Sequence, residues 1–399
     1  METIQKLRRI IKVLLSWGVY FFSFSVSRNK KIWIFIGWRR GNQGEIFADN
    51  SKYIFLHVAN TRKDIRAIWI GEDDRICDVL HANGYESYKI SSREGIYYSL
   101  RAGYTFIDAF MRLRNWRYSG RSKVVQLWHG EGVKKTWRDD SHYRAKYNSI
   151  ISPNLFKNYH FLVASSECVS KHFVSPSFGV SKEKVCITGL PRYDVFFNEI
   201  PGSRIDINLA LEWELKKIKL QNPKKIILYA PTFRRGMTEE DPLSAIRLSK
   251  LNEFFQKRRY FMVVSLHPKF STKDWMPENT FTNISFVNPD YDTYPLLSNF
   301  DLLITDYSSL CMEFLLLEKP TIFFTYDIER YKKDPGLIEN IWDLLPGPRV
   351  ATLHDLLHAL DAKIDNRQKD CKNAKEALFD FREGHSSQRV IKQIVNISH

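Results

Sequence analysis

The stretch LLITDYSSLCMEFLLLEKPTIFF, residues 302–324, decides the fold. Four apolar or β-branched residues (302–305) run into a polar turn, Asp306-Tyr307-Ser308-Ser309. An apolar segment of helical length, 310–317, follows, and a second short apolar run stands at 321–324. Short apolar runs separated by a helix mark a βαβ unit, and hence a parallel sheet. The two serines are helix N-cap types, and the N–H groups at a helix start attract anions. A serine pair is most often only a cap, so the surrounding chain must decide whether it is more.

Working outward, the same alternation repeats on both sides. Runs at 226–230, 261–266 and 284–287 join 302–305 and 321–324 as one strand series. An earlier series comprises 32–36, 66–70, 104–107, 124–128, 160–164 and 185–188. Between them, residues 195–223 are polar and helix-compatible and read as a connection, with Pro201 and Gly202 near its start. The fold class expected is α/β, with two Rossmann-like doubly wound domains facing each other across a cleft. A chain of 399 residues also favours two domains over one. The expected divisions are 1–29, 30–200 and 201–399.

Charged residues at 26% and hydrophobic residues at 44% are values of a globular chain. The net charge of +15 favours an anionic partner, whether nucleic acid, anionic lipid or a phosphate-rich substrate. No zinc-finger spacing, aromatic nucleic-acid box or basic heptad is present, so no nucleic-acid partner is expected. Cys77, Cys168, Cys186, Cys311 and Cys371 are scattered, odd in number and without a C-x-x-C, which suggests reduced thiols acting as small apolar residues.

The segment METIQKLRRIIKVLLSWGVYFFSFSVSRNKK surrounds an apolar, aromatic run with Lys6, Arg8, Arg9 and Lys12, and with basic residues behind it. It is barely long enough to span a bilayer, and it lacks a small-residue cleavage site. A basic amphipathic helix lying in an anionic inner-leaflet interface fits best, with packing on the protein's own core as the alternative.

In open parallel sheets, ligands sit beyond the carboxyl ends of the strands. The run 124–128 is followed by His129, Gly130, Glu131 and Gly132, then by Lys134 and Lys135 where a helix start would favour acids. Other expected strand ends lead into Gly189-Leu190-Pro191-Arg192, into Pro231-Thr232 with Arg234, and into His267-Pro268-Lys269. Five strand ends thus carry His, Arg, Thr, Ser or Lys, and none is expected to gather carboxylates. This suits one anionic ligand gripped from both halves. No DxD stands at a strand end, so neither a metal nor another cofactor is expected. There is no Walker sequence and no G-x-G-x-x-G, which disfavours a P-loop NTPase and a nicotinamide dehydrogenase.

Together, QLWHGEGVKKT, ITGLPRYD, ILYAPTFR, SLHPK, the 302–324 stretch, LPGPRV and FREGHSSQRV resemble the CDP-glycerol glycerophosphotransferase family of teichoic-acid-type primases and polymerases. The resemblance implies a GT-B-like fold, with an acceptor-side first domain and a donor-binding second. It implies transfer of glycerol phosphate from CDP-glycerol to a hydroxyl of a lipid-linked glycan or polyol-phosphate acceptor, with release of CMP. The product would be a teichoic-acid- or capsule-like polymer, made at the cytoplasmic face of the membrane. CDP-ribitol as donor, or a nucleotide sugar on the same fold, are the alternatives. The length suggests a catalytic domain with a short anchor, as in a primase.

By the same resemblance His129 and His267 are catalytic, with His129 the general base. Gly130, Lys134, Arg192, Thr232, Arg234, Lys269, Asp306, Ser308 and Ser309 are substrate-binding candidates. Glu313, one turn into the serine-capped helix, is a candidate for a ribose or polyol hydroxyl. Glu131-Gly132-Val133 departs from the Thr-Pro-Leu frequent in the family, which would alter acceptor contacts.

Overall fold

The computed structural model describes residues 2–37, 44–109, 116–139, 159–232, 234, 242–266, 281–288, 291–362 and 368–396. Its strands form two wholly parallel sheets. The first contains β1 (Asn29–Ile36), β2 (Arg66–Gly71), β3 (Ser87–Lys89), β4 (Ala102–Ile107), β5 (Lys123–Gln126), β6 (Phe161–Ala164) and β7 (Val185–Ile187), in the order 3-2-1-4-5-6-7. The second contains β8 (Lys225–Tyr229), β9 (Tyr260–Ser265), β10 (Ile284–Val287), β11 (Leu302–Thr305), β12 (Thr321–Phe324) and β13 (Arg349–Val350), in the order 10-9-8-11-12-13. Each order reverses direction once, between β1 and β4 and between β8 and β11, which places a crevice at the carboxyl ends there.

The strands are apolar almost throughout because both faces of each sheet are covered. In the first lobe Trp33, Phe35 and Phe106 are buried, and the Phe35 and Phe106 rings stack at 4.7 Å. In the second, alternation sorts neighbours to opposite faces. Ile226, Leu228, Val263 and Leu303 join the apolar cluster that runs on into the first lobe. Ile227, Tyr229, Val264 and Ile304 form a separate outer cluster.

The connection contains the helix Leu209–Leu220, started by Asn208, whose side chain accepts the Leu211 N–H at 2.9 Å. The lobes are also pinned by a buried ion pair. Lys52 Nζ lies 2.8 Å from Asp292 Oδ2, which also accepts from Tyr53 Oη at 2.6 Å. The chain then returns to its first lobe. The Asp194 carboxylate accepts the Ser386 and Ser387 N–H groups at 2.7 and 2.9 Å, which caps the helix Ser386–Asn396. Arg389 Nε and Gln393 Nε2 donate to the Thr188 and Ile187 carbonyls. Residues beyond 201 therefore do not all belong to the second lobe.

The N-terminal helix, Glu2–Ser23, docks by one face. The Trp17 and Tyr20 rings lie 4.9 and 5.0 Å from that of Trp116, and Ser23 Oγ accepts the Gly120 N–H at 2.9 Å. Ile10, Ile11, Leu14, Leu15 and Phe22, spaced as one helical stripe, remain exposed. Among the described residues no helix is long and apolar enough to cross a membrane. All five cysteines are free.

Candidate active site

Gln126, the last residue of β5, shapes the turn that follows. Its Oε1 accepts the Trp128 N–H at 2.9 Å and its Nε2 donates to the Ala109 carbonyl at 3.1 Å. Asn50 Nδ2 donates to the Trp128 carbonyl at 2.6 Å, and Asn50 Oδ1 accepts the Arg192 N–H at 3.0 Å. Trp128 is held at φ 57°, a costly conformation for a non-glycine residue and one that clusters at functional sites. Its ring packs on Trp137 and Phe178 at 5.5 and 5.0 Å.

His129 follows, half-buried. Its Nδ1 lies 3.0 Å from the Asp108 carbonyl oxygen. A carbonyl only accepts, so Nδ1 carries the proton and Nε2 the lone pair. Burial pushes the imidazole pKa down to about 4, against an opposing pull from Asp49 and the Asp108 carbonyl. The ring is therefore neutral at physiological pH.

The loop continues against the second lobe. Gly130 has φ 152°, and a Cβ there would lie 2.8 Å from Ser309 Oγ. A Cβ on Gly132 would lie 3.2 Å from Ser309 Cβ. At Gly130 the backbone itself favours glycine, and at Gly132 a side chain would have to push Ser309 aside by a few tenths of an ångström at the start of the helix Leu310–Leu316. Beyond it, the Ile338 N–H donates to the Val133 carbonyl at 2.7 Å and the Lys135 N–H to the Gly336 carbonyl at 3.0 Å. Lys134, half-buried, makes a bridge to Leu337. The expected helix start after Gly132 is instead this short ladder between lobes.

Behind the histidine, carboxylates converge. Arg192 is fully buried; its Nη1 donates to Asp49 Oδ1 at 2.8 Å and to the His129 carbonyl at 2.7 Å, and its Nη2 pairs with Glu313 Oε1. The guanidinium also faces the Tyr294 ring, 4.6 Å away. Asp108, buried, accepts the Ser51 N–H, and burial together with Asp49 pushes its carboxyl well up. Glu131 is buried, with Oε1 accepting the Ser165 N–H at 2.9 Å. Burial raises it to about 7.

The expectation that no strand end gathers carboxylates is thus corrected. Arg192 and Glu313, expected on substrate, are committed to each other. Glu131 supports the loop from inside. Asp49, Asn50 and Asp108 were not anticipated. Asp108 directly follows the apolar run of β4, so its place at a strand end is legible in the sequence.

The second lobe repeats the pattern. Asp306, buried at the end of β11, accepts the Thr232 N–H at 2.9 Å and pairs with Arg234 Nη1 at 2.8 Å. Arg234 Nε lies 2.6 Å from Asp327 Oδ2, and its guanidinium sits 5.1 Å from each of the Tyr307 and Tyr331 rings. Arg234 and Asp306 therefore brace the second lobe's strand-end loops from within. Ser308 and Ser309 stay half-exposed at the seam; Ser308 Oγ accepts the Leu310 N–H at 3.3 Å, and Ser309 makes no capping bond. His267 and Lys269 lie outside the described residues. Among those described, no group of three or more His, Cys, Asp or Glu is placed to hold a metal ion.

Two facing parallel lobes with a histidine loop at their seam define an enzyme of GT-B-like fold. The wall teichoic acid polymerase TagF has the same fold, with a TM-score of 0.72 over 99% of this chain and 97% of that one, at 21% identity. The chain belongs to the CDP-glycerol:poly(glycerophosphate) glycerophosphotransferase family, whose model matches residues 19–396. It is 32% identical to a teichoic acid poly(ribitol-phosphate) polymerase of Bacillus spizizenii over 68% of its length, covering 43% of that protein. It is 28% identical to a teichoic acid glycerol-phosphate primase of Bacillus subtilis, over 69% of each chain. The chain spans 43%, 65% and 51% of the lengths of three ribitol-phosphate polymerases it matches, less than two thirds of each.

Proposed function

We propose that this chain transfers glycerol phosphate from CDP-glycerol to a hydroxyl of a lipid-linked acceptor and releases CMP. The observation that carries the reading is His129, a neutral imidazole with Nδ1–H fixed on a carbonyl, at the seam of two lobes. Its Nε2 takes the proton of the acceptor hydroxyl. The oxygen attacks the β-phosphorus, and the bond to the bridging oxygen breaks as CMP leaves with that oxygen. Such transfer needs in-line positioning and charge neutralisation more than covalent help.

In this reading Ser308, Ser309, Thr232 and Lys134 line the donor side, with His267 and Lys269 supplying phosphate contacts. Gly130 keeps the loop close to Ser309. Arg192, Glu313, Arg234 and Asp306 act as positioning residues. The enzyme works at the cytoplasmic face of the membrane, held there by the exposed apolar stripe of its N-terminal helix; the product is a teichoic-acid- or capsule-like polymer.

Ribitol phosphate from CDP-ribitol is the second reading, favoured by the likeness to a poly(ribitol-phosphate) polymerase. Incubating the chain with a lipid-linked acceptor and CDP-glycerol, CDP-ribitol or a nucleotide sugar tests both. CMP release is expected with a CDP-polyol, and the preferred polyol settles the donor. Turnover confined to nucleotide sugars would replace this reading with glycosyl transfer.

A further inference from the structure

The foot of the first sheet, at the end away from His129, holds a cavity of about 330 Å³ that the transfer reaction does not use. Arg28, Lys30, Arg121 and Lys123 line it, with Ser25 and Ser27 from the turn that leaves the N-terminal helix. No carboxylate lines it, and none of the four cations has an ion-pair partner among the described residues.

The cluster is built rather than incidental. Arg28 is anchored by donating to the Ser99 and Tyr118 carbonyls, each at 2.8 Å, and to that of Gly120. Its Nε is buried without a hydrogen-bond partner, as is that of neighbouring Arg101. Arg121 is held at φ 62°, a strained conformation for a side chain of its size. Burial and the nearby Arg121 and Arg101 lower Arg28 to about 10; burial and Lys30 lower Lys123. Crowded cations of this kind disfavour their own charge, and an anion among them relieves the cost.

We propose that this pocket is an anion site for a phosphate monoester or diester, separate from the donor site at the seam. Two sources share that chemistry: the headgroup of an anionic lipid beneath the N-terminal helix, and a free phosphate compound. The pocket opens beside the helix whose apolar stripe is exposed, so either source reaches it without passing through the interlobe cleft.

Hydrogen exchange on the full chain tests the site with three probes: inorganic phosphate, phosphatidylglycerol-containing vesicles, and chloride at matched ionic strength. The comparison is with a Lys30→Gln/Arg121→Gln/Lys123→Gln variant, and Lys123→Gln alone serves if the triple variant does not fold. Protection is expected at residues 25–31, 101–104 and 120–124 in the wild type and is lost in the variant. Where vesicles protect the site, their affinity is expected to fall by about a hundredfold in the triple variant. Protection by vesicles alone assigns the anion to a lipid headgroup, and protection by both probes assigns it to phosphate generally. Equal protection by chloride, or unchanged protection in the variant, overturns the site. Turnover with a water-soluble acceptor is expected to be unaltered.

Discussion

At the scale of single residues, the environment of His129 changes the pH behaviour its sequence context suggests. An unperturbed imidazole would give an acidic limb near pH 6 to 7. Burial lowers this one to about 4, so the ring is mostly neutral at pH values above that, the form the proposed base needs. The acidic limb of kcat/KM, which reports the free enzyme, should therefore lie below about pH 5. A pH–rate profile breaking near 6.5 would show that the ring is not held as described.

Glu131 moves the opposite way. Its folded pKa of about 7 exceeds the ordinary 4.5. Its contribution to stability is full below 4.5, where both states hold the proton, and is lost as pH rises through 7. Glu131→Gln removes that ionisation. The stability of the variant relative to wild type should rise by about 2 to 3 kcal/mol between pH 5 and 8. Thermal melts that run parallel across this range would contradict the shift. Neither effect could be read from the sequence, because each depends on how deeply a polar side chain sinks beneath its own loop.

At the scale of elements, the strand-to-loop junctions were legible because strands covered on both faces leave continuous apolar runs. The 284–287, 302–305 and 321–324 runs coincide with β10, β11 and β12. The edge strands β3 and β13 were missed. One is Ser-Tyr-Lys and the other two residues long, so neither leaves an apolar run. The pairing of Arg192 with Glu313 was hidden for another reason: 121 residues separate them, and only packing of the lobes joins them.

The glycine seam belongs to this scale. Gly130→Ala puts a methyl group at φ 152° and 2.8 Å from Ser309 Oγ. Stability should fall by about 1 to 3 kcal/mol, with a loss of turnover larger than that of folded protein. Calorimetry beside activity measured per folded molecule separates the two. Wild-type turnover in the alanine variant would mean that the lobes do not meet here during catalysis.

At the scale of the whole molecule, the contacts that join the lobes among the described residues include the Val133–Lys135 ladder, the Lys52–Asp292 and Arg192–Glu313 pairs and the returning C-terminal helix. Asp292→Asn strands a buried ammonium whose pKa burial already lowers. The cost expected is about 3 to 5 kcal/mol, seen as a lower denaturant midpoint. A midpoint within error of wild type would show that the pair is solvated and does not hold the lobes.

The central claim is that His129 is the base for transfer of polyol phosphate at the interlobe seam. Its most direct test follows product formation from CDP-glycerol and a lipid-linked acceptor by mass spectrometry, in wild type and His129→Ala, with donor affinity measured by calorimetry. The wild type should yield phosphodiester-linked glycerol phosphate and CMP in equal amounts. The variant's kcat should be lower by about two to four decades, with donor affinity kept. Near-wild-type kcat in the variant, or lost donor affinity beside an unchanged rate of chemistry, would contradict it.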